Sequence, residues 1–281
     1  MKTTIVDGKQ LAEKIEEQVK EAVSQLPQPP ALHVILVGDD PASQTYVAKK
    51  EVACQRCGIE FQKHQPPVTA SEEEIISLIA QLNHDSKVTG ILVQLPLPKN
   101  LDKNKILTAI DPAKDPDCLT PTNLGRLVTG DYLVAPATAA AVMEILQEHK
   151  VEVKGKHATV VGRSQIVGLP IFLMLQKIGA TVTLCHSQTP NLTSDTLTSD
   201  ILISGVGERS LIKPGMVQEG AVVIDCGFSR EDKKIYGDVD PQVAAKASLF
   251  TPVPGGVGPL TVTCLLQNLL VLAVDSRPKL R

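Results

Sequence analysis

The sequence predicts an α/β fold of two lobes built from β-α-β units, and three observations carry that prediction. The chain has 281 residues, longer than the ~250 residues at which a single hydrophobic core stops growing. Apolar runs rich in Val and Ile alternate with helical patterns, the signature of strands crossing over through helices into a parallel sheet. Hydrophobic residues are 43% of the chain, enough to fill two cores, while aromatic residues are only 2% with no Trp, so the cores must be aliphatic.

Residues 31–38 (ALHVILVG) read as a strand and 41–57 as a helix, with Pro41 in the first turn and Gly58 as the C-terminal cap. A second helix starts at Ser71, whose spacing to Glu74 matches a capping box, and runs to a turn at 83–85. From Gly90, GILVQLPLP reads as a buried strand leaving into a Pro-rich loop. Residues 111–136 read as loop, and 137–150 (ATAAAVMEILQEHK), all strong helix formers, as a helix connecting the lobes. A new β-α-β unit follows: strand 157–161, helix 169–178 closed by Gly179, and strand 180–185. Two more strands, DILISGVG from Asp200 and AVVIDCG from Ala221, complete the second lobe. The stretch TPVPGGVGP (251–259) precedes a last apolar helix expected to return to the first lobe.

A formal net charge of -3 provides no basic field of the kind nucleic acid requires. No apolar run approaches the ~20 residues of a bilayer span, and MKTTIVDGKQ lacks a signal-peptide core, so a cytoplasmic protein with no membrane partner is expected. Cys54 and Cys57 form a C-x-x-C, but no second pair completes four zinc ligands and both fall inside a predicted helix. They read as buried thiols, and no metal site is expected.

The candidate chemistry lies in both lobes. Gly162-Arg163-Ser164-Gln165-Ile166-Val167-Gly168 is a glycine-bounded turn between strand and helix, where dinucleotide folds place phosphate against a helix N-terminus. It is not a full G-x-G-x-x-G, and such a turn alone is weak evidence. NAD sites put an acid ~20 residues later to bind the ribose hydroxyl. Here Cys185-His186-Ser187 stands instead, and Arg163 with Ser187 suits a 2'-phosphate, which favours NADP. The plainer reading, a surface Arg163 and a satisfied His186, weighs equally if the turn stands alone. In the first lobe, Tyr46 and Lys50 are four residues apart on one helix face. A desolvated lysine loses affinity for its proton and can act as a base, although adjoining helix lysines such as Lys49 and Lys50 usually only solvate. Gln94 sits at the end of an apolar strand, where an amide without partners costs ~1–3 kcal/mol. Asp117, in KDPDC, is a turn residue or a carboxylate able to accept paired hydrogen bonds from a pterin-like ring.

The runs VGDDPASQTYVAKK, GILVQLPLP, KDPDC, GRSQIVGLP, ATVTLCHSQT, GDVD and TPVPGGVGPLTV, in this order, resemble the signature segments of the bifunctional methylenetetrahydrofolate dehydrogenase/methenyltetrahydrofolate cyclohydrolase family over nearly the whole chain. The resemblance implies a folate-binding catalytic domain (1–139, with a C-terminal helix of about 262–281 packed back on it), a Rossmann-type NADP-binding domain (140–261), and a cleft between them. It implies that Tyr46 stacks on the folate, Lys50 is the catalytic lysine, Gln94 positions it and Asp117 anchors the pterin. Gly162, Arg163, Ser164, Ile166, Val167, Gly168, His186 and Ser187 would hold NADP, with Arg163 and Ser187 on the 2'-phosphate. Pro254, Gly255, Gly256 and Pro259 would border the cleft near substrate. Tetrahydrofolate derivatives would be the substrates of a homodimer joined through its cofactor domains. The chain departs from the family pattern at Cys118, where a glycine is usual, at Ala137 and Ala139, which replace Cys and Pro, and at Ser229, which replaces Asn. The Cys118 change leaves open a dehydrogenase that has lost the cyclohydrolase step, and a non-catalytic NADP-binding module is the reading from another class.

Overall fold

In the computed structural model, which describes residues 2–232 and 234–274, the elements begin with β1 Thr4–Ile5, α1 Gly8–Ser24, β2 Ala31–Ile35, α2 Pro41–Cys57, β3 Glu60–His64, α3 Glu72–His84, β4 Gly90–Val93, α4 Lys103–Thr108 and α5 Pro121–Thr129. They continue with α6 Ala137–Glu148, β5 His157–Val161, α7 Gly168–Lys177, β6 Thr181–Cys185, α8 Leu192–Leu197, β7 Ile201–Ser204, β8 Val222–Asp225, β9 Ser229–Glu231, β10 Lys234–Tyr236, β11 Leu249–Phe250 and α9 Val257–Val274. The chain divides into two compact units: Glu13–Ala137 with the chain from Val262 on, and the first twelve residues with Thr138–Thr261.

The first of these units carries a parallel sheet ordered β3-β2-β4. Its central strand and β4 are buried throughout their aliphatic positions, Leu32, Val34 and Ile35 against Ile91, Leu92 and Val93. The expected strand at 31–38 is shorter, because after Ile35 the chain leaves the ladder while Leu36 and Gly38 still donate to His64 and Pro66. The local signals for α2 and α3 operate as read. The Asp40 side chain accepts from the Ser43 amide at 2.8 Å and Gly58 closes α2 at φ 72°. Ser71 and Glu74 exchange the two bonds of a capping box on α3. Residues 111–136 are not all loop, since α5 lies inside them, with Thr120 capping it, Pro121 in its first turn and Gly130 ending it. A dense run of Asp and Pro just before it masks these signals. Nor does the sequence reading assign α1, whose buried Leu11, Ile15, Val19 and Val23 recur every four residues.

By length and composition α9 is apolar enough to span a membrane, yet Cys264, Leu265, Leu266 and Leu269 are buried within the fold. Its single buried amide, Asn268, donates to the Pro116 and Ala135 carbonyls at 2.8 and 2.7 Å. Positions 275–281 of the expected C-terminal helix lie outside the described residues.

The other unit is a six-stranded parallel sheet ordered β1-β11-β8-β7-β5-β6. From β5 the chain steps outward through α7 to the edge strand β6, then returns through α8 to β7 on the other side of β5. The strand order therefore reverses between β5 and β7, the place where such sheets open a crevice at their carboxyl ends. The amino terminus, assigned from the sequence to the first lobe, instead adds β1 to this sheet through Thr4↔Leu249 and Ile5↔Phe250. A two-residue strand carries too little pattern to announce its partner. The core under the sheet is aliphatic apart from Phe250 and Cys185, including Val161, Leu202, Val223 and Val243.

Replacing Asn268 with Leu keeps the helix face apolar but orphans two carbonyls. The expected loss is ~1–3 kcal/mol of unfolding free energy, read as a lowered urea midpoint with unchanged slope.

Candidate functional site

Helix α2 and the end of β4 bring Lys50 and Gln94 together. Lys50 Nζ donates to Gln94 Oε1 at 2.7 Å, and Gln94 is held in turn by its Nε2 donating to the Leu95 carbonyl at 2.7 Å. Gln94 is not in the strand but directly after it, its backbone N–H still reaching Ile35 O on β2 at 2.9 Å. Lys50 is partly buried, and desolvation lowers its pKa, opposed by the nearby Asp117 carboxylate. Lys49 points elsewhere: it is exposed, with its amine 5.6 Å from the centre of the Tyr46 ring. Tyr46 is partly buried one turn before Lys50.

Asp117 is presented by a rigid loop. Burial raises its pKa, Lys50 lowers it, Asp115 raises it, and the Ala137 backbone N–H at the start of α6 lowers it. The loop is shaped by Asp115, a residue the sequence reading passed over. Its buried carboxylate accepts from Leu119 N at 3.1 Å, Thr120 N at 2.8 Å and Asn123 Nδ2 at 3.0 Å. Lys114 is buried too, donating to the Leu82 and Asp85 carbonyls at 3.0 and 2.6 Å. Two charged residues flanking a proline inside KDPDC were the available signal, and turn chemistry explained them too readily. Cys118 adopts φ 54°, the left-handed conformation for which a glycine is better suited. Cys118 therefore holds a side chain in a backbone conformation that carries local strain. Burial pushes the Cys54 and Cys57 thiols up to about 12 and about 11, so neither is a ready nucleophile or ligand. Among the described residues no group of three His, Cys, Asp or Glu side chains is placed to hold a metal.

In the other unit, the turn after β5 has the form a dinucleotide needs. Gly162 sits at φ 111°, and a Cβ there would lie 2.7 Å from the Gly205 carbonyl oxygen; one on Gly168 would overlap the Gly162 carbonyl. Backbone therefore meets backbone at the strand-order reversal, directly before the start of α7, the position at which dinucleotide folds seat a pyrophosphate. Ser164 Oγ accepts from Val167 N at 3.1 Å, closing the turn, and Ile166 and Val167 are partly buried. The pairing Val161↔Cys185 sets Arg163 and Ser187 equal distances beyond neighbouring strands, both exposed. His186 is held by its backbone N–H donating to Thr189 Oγ1 at 2.9 Å, and its Nδ1 accepts from Gln188 N at 3.2 Å. No acidic side chain stands in this turn, which suits a 2'-phosphate. Gly255 and Gly256 pack against the start of α1, where Gly8 N donates to Gly255 O at 2.9 Å, and Pro254 is exposed while Pro259 lies in the first turn of α9. Ser229 Oγ donates to the Tyr236 carbonyl at 3.3 Å.

The catalytic-domain model of the tetrahydrofolate dehydrogenase/cyclohydrolase family matches residues 6–117, and its NAD(P)-binding-domain model matches 136–277. A relative named bifunctional protein FolD from Nautilia profundicola is 49% identical, covering 94% of this chain and 95% of the relative. The crystal structure of the bifunctional methylenetetrahydrofolate dehydrogenase/cyclohydrolase from Campylobacter jejuni superposes with a TM-score of 0.94 at 43% identity, covering 96% of this chain and 98% of that one. A Trypanosoma brucei dehydrogenase-cyclohydrolase, complexed with NADP cofactor and inhibitor, gives a TM-score of 0.93 at 37% identity over 97% of both chains.

The opposing influences on Lys50 set a measurable order. Its amine should titrate below the ordinary lysine range in isotope-edited NMR, and Asp117→Asn, by removing the charge that favours the ammonium, should move it lower still; an unchanged or raised value would show that Asp117 does not act on it.

Proposed function

We propose that this chain, which belongs to the tetrahydrofolate dehydrogenase/cyclohydrolase family, oxidises 5,10-methylenetetrahydrofolate to 5,10-methenyltetrahydrofolate with NADP+ and hydrolyses that product to 10-formyltetrahydrofolate. The single observation that carries the reading is the Lys50–Gln94 hydrogen bond beside Asp117. NADP, when bound, supplies the acceptor for the hydride that leaves the one-carbon bridge.

The protein's own groups do the rest. Asp117 accepts hydrogen bonds from the N–H and amino donors of the pterin, and Tyr46 stacks on its ring face. Lys50, its proton affinity lowered by desolvation, takes a proton from the water that adds to the methenyl carbon. Gln94 Oε1 fixes the direction of that amine by accepting one of its N–H groups. Ring opening then yields the 10-formyl product and releases one proton overall. The Gly162 to Gly168 turn receives the pyrophosphate, Arg163 and Ser187 the 2'-phosphate, and residues 254–259 border the substrate.

Folate chemistry belongs in this reading to residues 1–139 without the β1 segment, and the cofactor to 140–261. Six free cysteines, five of them buried, suit a reducing cytoplasm, and the family resemblance supports a homodimer joined through the cofactor domains.

The test is a paired spectrophotometric assay. Methenyltetrahydrofolate should form faster with NADP+ than with NAD+, and supplied methenyltetrahydrofolate should be hydrolysed. Lys50→Met should slow hydrolysis by roughly 100-fold or more, the range general-base removal gives, and Lys49→Met by far less. Oxidation without hydrolysis would leave only the dehydrogenase, and an inactive Lys49 variant beside an active Lys50 variant would sink the assignment.

A further inference from the structure

Two buried carboxylates stand beside the cofactor crevice, outside the folate chemistry. Asp225 ends β8 and Asp238 follows β10, and they are 2% and 0% exposed. Asp238 Oδ2 accepts from Ser204 Oγ at 2.9 Å and Val206 N at 2.7 Å, and its Oδ1 from Glu208 N at 2.8 Å. Asp225 Oδ1 accepts from Gly227 N at 2.8 Å and Asp238 N at 3.1 Å, and its Oδ2 from Val239 N at 2.9 Å. Its own N–H donates to Thr251 Oγ1 at 2.7 Å.

These donors are Ser204 at the end of β7 with Val206 and Glu208 in the loop after it, Gly227 after β8, and Asp238 and Val239 after β10, so the two side chains tie the carboxyl-end loops of β7 and β8 and the segment after β10 into one piece. The packing is reciprocal. A Cβ on Gly227 would overlap the Asp238 carboxylate, and one on Gly237 would overlap that of Asp225. Each carboxylate thus fills the space left by the glycine beside the other.

Such an arrangement is costly to keep, since taking two like charges out of water is unfavourable even with good partners. Burial pushes Asp225 up to about 6 although three amides pull it down. An apolar core would hold the two strands at less expense, which points to loop shape, not stability, as the gain.

The topology says which loops these are. A dinucleotide lies across the strand-order reversal, with one half on each side. Arg163 and Ser187 occupy the β5–β6 side, the adenosine half. The β7–β8 side, with Gly205 and Val206 against the Gly162 turn, is the nicotinamide half.

We infer that Asp238 and Asp225 are positioning residues for the nicotinamide half of the cofactor crevice, holding the loop 205–208 and Gly227 in the shape that receives the nicotinamide riboside. This rests on the cofactor assignment above. Neither side chain touches the cofactor in this scheme; each acts through the backbone amides it binds.

The experiment is calorimetric titration of the full chain with two probes, NADP+ and adenosine 2',5'-bisphosphate, which lacks the nicotinamide half. Asp238→Asn leaves one acceptor oxygen for three donors and turns an amide NH2 toward one of them. NADP+ affinity should fall about tenfold, the scale of one lost buried hydrogen bond, while the bisphosphate changes by less than about twofold. Ser204→Ala removes a single donor and serves where Asp238→Asn does not fold, with an expected threefold or so loss for NADP+ alone. Unchanged NADP+ affinity in a folded Asp238→Asn or Ser204→Ala variant overturns the inference. Equal weakening of both probes also overturns it, since that is what a merely structural role produces. A wild-type chain that binds neither probe overturns the cofactor assignment first, and this inference with it.

Discussion

An amine acts as a base near neutral pH only where it is kept from bulk water without losing its hydrogen-bond partner. Lys50 meets both conditions because α2 delivers it from one element and the end of β4 delivers Gln94 from another. Desolvation alone would leave the amine with an affinity set by chance contacts. Asp117 supplies the counterweight that keeps part of the proton's attraction. The catalytic proposal depends on that balance, and so do the loop hydrogen bonds that hold Asp117 where it is.

Much of the surrounding structure exists to keep the loop still. Asp115 gathers two backbone amides and the Asn123 side chain, Lys114 ties the loop to the end of α3, and Asn268 of α9 accepts the task of binding Pro116 O. Buried polar groups of this kind are favourable only when all their partners are present. The left-handed Cys118 lies in the same loop: a CH2SH side chain sits in a backbone conformation better suited to glycine, its N–H donating to the Asp115 carbonyl at 3.3 Å.

The cofactor unit solves a different problem, the approach of a ligand to bare backbone. Gly162, Gly168 and Gly205 leave no side chain at the crossing of β5 and β7, and the carboxylates of Asp225 and Asp238 bind the amides of the next loops. In the proposed reading, attraction to phosphate comes from amides and Arg163, while shape comes from residues that never reach the ligand. The two roles are separable, and a dinucleotide needs both.

Secondary structure carried by local chemistry was legible in the chain: the capped helices α2 and α3, the aliphatic strands β4, β5, β7 and β8, and the turn at 162–168. Side-chain direction on one element was legible too, enough to single out Lys50 and Tyr46 as candidates. Elements whose stability comes from distant partners were not. The polar strand β3 is held by β2, the two-residue β1 by β11, and α5 hides behind an Asp/Pro run. Asp115 looks like a turn residue in sequence, and nothing local marks Asp225 or Asp238 as structural, because the groups that bind their carboxylates lie up to 14 and 34 residues away. The sequence by itself determined the fold class, the family and the candidate residues for the chemistry, because periodicity, capping and motif order are local. Only the tertiary structure decided that Lys50 and not Lys49 meets Gln94, and which carboxylates shape the loops, because desolvation and hydrogen-bond partnership are properties of neighbours that the chain order does not contain.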